Sequence, residues 1–331
     1  MPLFTVELLE SVTVDSPKVA WGGISDHLWQ LFSAPITGTS VEAEVVQRDR
    51  RITELENTIS GSCWDLWPHF DGSAQKGSQE IVDFWGRVTG GKAVLVLDGL
   101  SLRETPWLLQ QADERGYTVH EAGPRAAELP CETTPFAKAL GFAQRSALEN
   151  NGAGKAHKLV GAGTESSNLP WEDCIPLVGH QEGVAFWHHW PDDRVHDLSG
   201  PGDGLQKLAR EAHEHLTSDP FWEFVERLAT GRRLIITSDH GYAACGLFPD
   251  LVDKEQVNYM KKLFKSGRTA AGDCEDGVWV PPIDLRLSTD HGTNRLVLGR
   301  RKWKSSGGYP TLHHGGLSLL EVFVPFIELS K

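Results

Sequence analysis

No two cysteines in this chain are placed to act together. The five present, Cys63, Cys131, Cys174, Cys245 and Cys274, are odd in number, widely scattered and without a CxxC pair. That argues against a disulfide framework or a thiolate zinc site and for a reducing compartment. No apolar run approaches the ~20 residues that a membrane-spanning helix needs. The opening Met1-Pro2-Leu3-Phe4-Thr5-Val6-Glu7 has no basic n-region, so a secretory signal is not expected and a cytoplasmic location is. Positive charge is also short. With 32 Lys and Arg against 45 Asp and Glu, the net charge of −13 excludes a broad basic surface for gripping duplex nucleic acid. Chemistry on phosphates stays open, because bound dications supply positive charge locally.

What is present is the composition of a globular protein, 40% hydrophobic and 23% charged over 331 residues, enough for one large α/β unit or two smaller ones. Residues 1 to about 75 mix β-type residues with short amphipathic pieces. Trp21 to Phe32 reads as a turn and then a helix with Ser25 or Asp26 as its N-cap, and Glu42 to Ile59 is helical in tone. Trp21, Trp29, Trp64 and Trp67 suit gap-filling in a core. A Gly/Ser/Gln-rich connection near residue 75 separates this N-terminal extension (1–75) from a main unit (76–331).

The main unit alternates. A helix at Glu80 to Arg87 precedes the apolar strand Lys92 to Leu97, which ends in Asp98-Gly99. A helix at Glu104 to Arg115 and a strand at Tyr117 to Val119 follow. This β-α-β pattern predicts a central, mostly parallel sheet with helices on both faces. Leu129-Pro130-Cys131-Glu132-Thr133-Thr134-Pro135 is a proline-bounded turn opening a helix towards Leu148. Its hydroxyls suit an anion at a helix start, or simple capping. Residues 149 to 174 read as a surface excursion. Gly183 to Trp187 is a strand, and Gly204 to Leu228 is helical, with His213 and His215 solvated.

Two stretches point to metal ligation. Leu234-Ile235-Ile236-Thr237-Ser238 reads as a buried strand that stops at Asp239-His240-Gly241, and ligands bind beyond the carboxyl ends of such strands. Asp192 and His196, four apart, share one face of a helical turn. Asp193 competes with Asp192. A second triplet, Asp290-His291-Gly292, lacks a long apolar strand before it and reads as a hairpin turn.

Other motifs fail. Gly152-Ala153-Gly154-Lys155 has Ala156 where a phosphate-binding loop needs Ser or Thr. Gly161-Ala162-Gly163 follows no convincing strand. Neither Ser101 nor Ser318 completes GxSxG.

Five stretches in order, VLVLDGLSLRE, LPCETTPFAKAL, WPDDRVHD, IITSDHGY and HHGGLSLLEVFVPF, resemble the PglZ-domain branch of the alkaline phosphatase superfamily, the last most specifically. The resemblance covers residues 80–331 and implies an alkaline-phosphatase-like fold with two divalent ions, zinc by preference and Mn²⁺ as a second fit. It implies Asp98, Asp239 and His240 at one ion and Asp192, His196 and His314 at the other. Thr133 matches the nucleophile, with Thr134 adjoining it. Arg103, Arg300, Arg301 and Lys302 are weak candidates for phosphate contact. The implied activity is phosphodiester hydrolysis on nucleotides or single-stranded oligonucleotides, in phage defence (BREX-like) or signalling, with defence-system proteins as partners and no membrane. A phosphomonoesterase and a non-catalytic scaffold of a defence complex are the alternatives. An arylsulfatase is disfavoured, because Cys131 is not followed by the x-Pro-x-Arg that such enzymes need.

Overall fold

In β1 (Lys92–Leu97), Ala93, Leu95 and Leu97 face one way and Val94 and Val96 the other, and all are buried. A strand apolar on both sides needs cover on both sides. The computed structural model supplies it. It describes residues 5–38, 40–272, 277 and 279–331, so Cys274 and Met1 to Phe4 lie outside the described residues.

The remaining strands are β2 (Thr118–Ala126), β3 (Ala162–Ser167), β4 (Gly183–His188), β5 (Arg233–Thr237), β6 (Thr269–Ala271), β7 (Asp284–Thr289), β8 (Gly292–Val297) and β9 (Phe323–Ser330). Six form a central sheet in the order β2-β9-β5-β1-β4-β3. Its β5-β1-β4-β3 portion is parallel, with Lys92 in register with both Gly183 and Arg233, and β9 runs antiparallel to both its neighbours. The fold is therefore α/β with a mostly parallel central sheet. A small antiparallel sheet, β6-β8-β7, stands apart from it. Its β7–β8 turn holds Asp290-His291, and the His291 ring lies 3.2 Å from Glu128.

The helices are α1 (Val6–Val14), α2 (Pro17–Phe32), α3 (Val41–Arg51), α4 (Thr53–Gly61), α5 (Phe70–Ser73), α6 (Gly77–Arg87) and α7 (Thr105–Glu114). Then come α8 (Thr133–Ala139), α9 (Trp171–Cys174), α10 (Asp192–Asp197), α11 (Gly204–Thr217), α12 (Asp219–Ala229), α13 (Lys254–Leu263) and α14 (Leu319–Val322). Side chains of α7, α11 and α12 pack on one sheet face with Leu95 and Ile236. Side chains of α6 and α8 pack on the other with Val96 and Ile235.

The N-terminal region departs from the sequence reading. It is helical, with no strand among its described residues. The second helix begins at Pro17 after Ser16, not at Ser25 or Asp26, because Ala20 and Trp21 already belong to its buried face with Ile24 and Leu28. Trp21 and Trp67 fill a shared core with Phe70, Leu317 and Phe323, so the first helices and the last strand are packed together. The supposed surface excursion contains β3, which a run as polar as Ala162 to Ser167 conceals. The helix from Thr133 stops at Ala139, where the Leu140 carbonyl accepts from Lys158. Gly204 to Leu228 is two helices, broken at Ser218, which turns extended and caps the second one on Phe221 N.

Candidate metal centre

Parallel strands end on one edge, and four of the candidate ligands sit there. Asp98 directly follows β1, Asp239 and His240 follow β5, and Asp192 opens α10 after β4. Register explains their meeting, since β1 lies between β5 and β4. The loops also touch directly. Gly99 N donates to Asp239 Oδ1 at 3.1 Å, and Asp192 N donates to the Asp98 carbonyl at 2.9 Å. Glycine is required at 99: φ is +73°, and a Cβ there would lie 3.1 Å from that of Asp192. At Gly241 a Cβ would meet the Leu320 carbonyl at 2.2 Å, which ties the Asp239-His240 turn to the segment after His314.

Two groups of ligand atoms result, each with its atoms within 4.8 Å of one another: Asp98, Asp239 and His240, and Asp192, His240 and His314. The His240 and His314 rings stack at 4.1 Å. His196, more than half exposed, completes the second group, with Nε2 3.3 Å from Asp192 Oδ2 and 3.2 Å from His314 Nε2. The structure thus brings together all six predicted ligands and places His240 between the two cages. Asp193 turns away and lines a neighbouring cavity.

Thr133, at the start of α8, lies with Oγ1 3.4 Å from Asp98 Oδ1, whereas Thr134 is exposed beside it. His314 is fixed through Nδ1, 3.1 Å from the Cys131 carbonyl in the turn that carries Thr133.

The electrostatics are unbalanced. Asp98, Asp192 and Asp239 are buried together. Burial, then the Asp239 and Asp192 charges, push the Asp98 carboxyl well above its usual range. Burial opposes charge on His240, but Asp239, Asp98 and Asp192 outweigh it and hold the imidazole up at about 9. Burial and the adjacent His240 drive His314 well below the usual histidine value. Asp239 Oδ2, Asp192 Oδ1 and His240 Nε2 are buried without hydrogen-bond partners. Orphaned atoms of this kind, converging from carboxylates and imidazoles, match the demands of a dication, and an all-Asp/His set fits zinc or manganese.

Sequence reasoning missed two groups on Asp98. Trp187 Nε1 donates to Oδ2 at 3.0 Å, and the Arg145 guanidinium pairs with the same oxygen. Oδ1 is left facing Thr133 and His240. Trp187 is in a strand the sequence shows, but nothing there tells which way its indole N–H points. Arg145 belongs to no motif.

The proposed phosphate contacts are corrected. Arg103 and Arg300 are buried with their guanidiniums on Asp49 of α3. Arg301 donates to the carbonyls of Leu298 and Pro282. Lys302 is held by the Phe248 carbonyl and by Asp250 at 3.0 Å. Each of these cations is occupied by the protein itself.

Beside α10 lies a cavity of about 580 Å³ walled by Trp171, Trp190 and His188, with Asp193, Glu172 and Glu214 among its polar groups. Burial lowers His188 to about 4, which favours the uncharged imidazole at neutral pH.

No family model matches the chain, and no curated protein does; the PglZ resemblance stands on its motifs alone. Among solved structures, the chain is similar to murine ectonucleotide pyrophosphatase / phosphodiesterase 5, at 13% identity over 72% of this chain and 87% of that one, TM-score 0.43. It is also similar to an inactive form of that protein in complex with AMP, at 14% identity over 72% of this chain and 88% of that one, TM-score 0.48.

Proposed function

We propose that the chain is a metal-dependent phosphoric ester hydrolase that cleaves phosphodiesters of nucleotides or short single-stranded oligonucleotides, with Thr133 as nucleophile. The observation that carries this reading is the pair of adjoining Asp/His cages joined at His240, with the Thr133 hydroxyl at Asp98. Asp98, Asp239 and His240 would hold one ion and Asp192, His196 and His314 the other, zinc or manganese. When bound, such a pair supplies Lewis acidity that lowers the pKa of a nearby hydroxyl and neutralises phosphoryl charge.

The chain's own residues do the remainder. Thr133 Oγ1 loses its proton and attacks phosphorus, one of the two ester oxygens leaves with its organic group and takes up a proton, and a threonine phosphodiester that keeps the second organic group results. Water then attacks the same phosphorus, the threonine oxygen leaves and is reprotonated, and a phosphomonoester is released. Arg145, with its planar fork at the edge of the cage, is the side chain suited to a non-bridging phosphoryl oxygen. Removing it as Arg145→Ala is expected to lower kcat by about 10²-fold, the loss typical of one stabilising donor. The aromatic cavity next to α10 suits a flat base, stacked on tryptophan and hydrogen-bonded to the acids beside it. A place in phage defence or signalling is supported by the PglZ-like motif order.

Metal analysis of the purified protein, coupled to hydrolysis of bis-p-nitrophenyl phosphate, tests the proposal. Bound zinc or manganese is expected with turnover, which Thr133→Ala and Asp239→Ala abolish. Bound metal without turnover of any phosphate ester overturns catalysis in favour of a scaffold. Undiminished turnover in Thr133→Ala moves the nucleophile elsewhere, with Thr134 first in line.

A further inference from the structure

Arg103 follows Asp98 by five residues, and Tyr242 follows His240 by two, so both belong to the turns that carry the inner cage. The two turns are joined by one guanidinium. Arg103 Nη1 donates to the Tyr242 carbonyl at 2.8 Å and to Ser101 Oγ at 3.0 Å, and its plane lies 4.5 Å over the Tyr242 ring. The Tyr242 hydroxyl returns to the first turn, donating to Glu104 Oε1 at 2.7 Å, while Glu104 Oε2 accepts from Ser101 N at 2.8 Å.

The guanidinium's hydrogen bonds to the two turns use Nη1 alone; the other edge of the Arg103 fork is held from α3. Asp49 Oδ2 accepts from Arg103 Nε at 2.9 Å and Nη2 at 2.6 Å, and Asp49 Oδ1 takes Arg300. Glu56 of α4 lies 3.8 Å from Arg300 Nε and accepts the Leu319 amide at 2.7 Å, five residues after His314. A forked guanidinium bonded on one edge to a fixed carboxylate and on another to a loop carbonyl sets an orientation, which a lysine does not do.

We infer that Asp49 is a positioning residue for the metal cage, and that the N-terminal helices act through it, by way of Arg103, to hold the Asp98 and His240 turns at ligating distance. This rests on the metal reading of the cage, and it makes the N-terminal helices part of the site's frame. Groups that orient ligands in this way change metal affinity by about 10–100-fold when removed.

The test compares Asp49→Asn with Leu28→Ala, a buried substitution in the same helical region that leaves the Asp49–Arg103 link intact. Zn²⁺ affinity is measured by competition with a chromophoric chelator, melting temperature by calorimetry, and amide hydrogen exchange by mass spectrometry on metal-free protein. Asp49→Asn is expected to weaken Zn²⁺ binding at least 10-fold and to speed exchange at residues 99–103 and 241–243. Leu28→Ala is expected to lower the melting temperature while Zn²⁺ affinity stays within about twofold. Equal loss of affinity in both variants, or an Asp49→Asn protein with unchanged affinity and unchanged exchange, overturns the inference. If Asp49→Asn does not fold, Arg103→Lys is read against the same two outcomes. If the wild-type chain binds no Zn²⁺, the metal reading fails, and exchange at the two turns alone decides whether Asp49 positions them.

Discussion

Asp49 and Asp239 are both wholly buried, but their surroundings differ in kind. Asp49 sits between two guanidiniums; burial alone would raise its carboxyl, and Arg103 and Arg300 together hold it below its ordinary value. Asp239 shares its pocket with Asp98 and His240, beside Asp192; its Oδ1 accepts from Gly99 N at 3.1 Å, and its Oδ2 has no hydrogen-bond partner. A buried ion that is paired and hydrogen-bonded belongs to the frame. Like charges gathered without enough partners cost free energy unless something binds them. The first cluster is complete without a ligand; the second is arranged for one.

The largest expected effect breaks the completed cluster. Asp49→Ala leaves two buried guanidiniums without their carboxylate, a loss of about 3–5 kcal/mol. Urea unfolding of metal-free protein measures it. A loss below ~1 kcal/mol would show that the cluster does not hold the region together.

Glu104 sharpens the same side of the comparison. Burial outweighs its neighbour Arg103 and raises its carboxyl from 4.5 to about 7. A raised acid binds its proton more tightly folded than unfolded. Its stabilising contribution is therefore full below pH 4.5, declines as pH rises towards about 7, and is flat above. The change is of order 3 kcal/mol. Wild type is expected to lose stability across this window relative to Glu104→Gln; parallel pH profiles would sink the assignment.

At the incomplete cluster the sign reverses. Asp239→Asn removes one of three crowded carboxylates, so the metal-free protein is expected to be no less stable than wild type. With Zn²⁺ at 100 times its Kd, wild type gains about 2.7 kcal/mol, a gain the variant loses. Because His240 is held protonated up to about 9, Zn²⁺ must displace that proton, and affinity is expected to rise with pH until about 9. An Asp239→Asn protein that is markedly destabilised without metal would put Asp239 in the frame instead.

Much of the fold was legible because β1 and β5 are short apolar runs ending at Asp98-Gly99 and Asp239-His240-Gly241, and the parallel edge gathers such ends. That logic reached Asp239 and His240; Asp192 and His196 came from their four-residue spacing, and Asp98 and His314 from the motif resemblance. It failed for β3, whose Thr, Ser and Glu residues carry no apolar signal, and for the N-terminal helices, where β-type residues sit on amphipathic faces. Arg145 was out of reach for another reason: an arginine far along the chain meets Asp98 through tertiary packing, and no spacing encodes that. Arg103 and Arg300 misled because a basic residue near a metal strand looks alike in sequence whether it faces solvent, phosphate or a buried carboxylate.

The smallest effect separates those readings. Lys302 is 9% exposed, and its ammonium is occupied by the Phe248 carbonyl and by Asp250 at 3.0 Å. The Lys302 ammonium is nearly covered and turned to a carbonyl and a carboxylate, whereas the Arg145 fork is a quarter exposed and meets Asp98 through Nη1. Lys302→Ala is therefore expected to leave KM for a diester within about twofold, less than ~0.5 kcal/mol of binding. Arg145→Ala, assayed beside it, carries the large loss in kcat. A tenfold rise in KM for Lys302→Ala, with Arg145→Ala unaffected, would move the phosphate site away from Arg145 and exchange the roles given to the two cations.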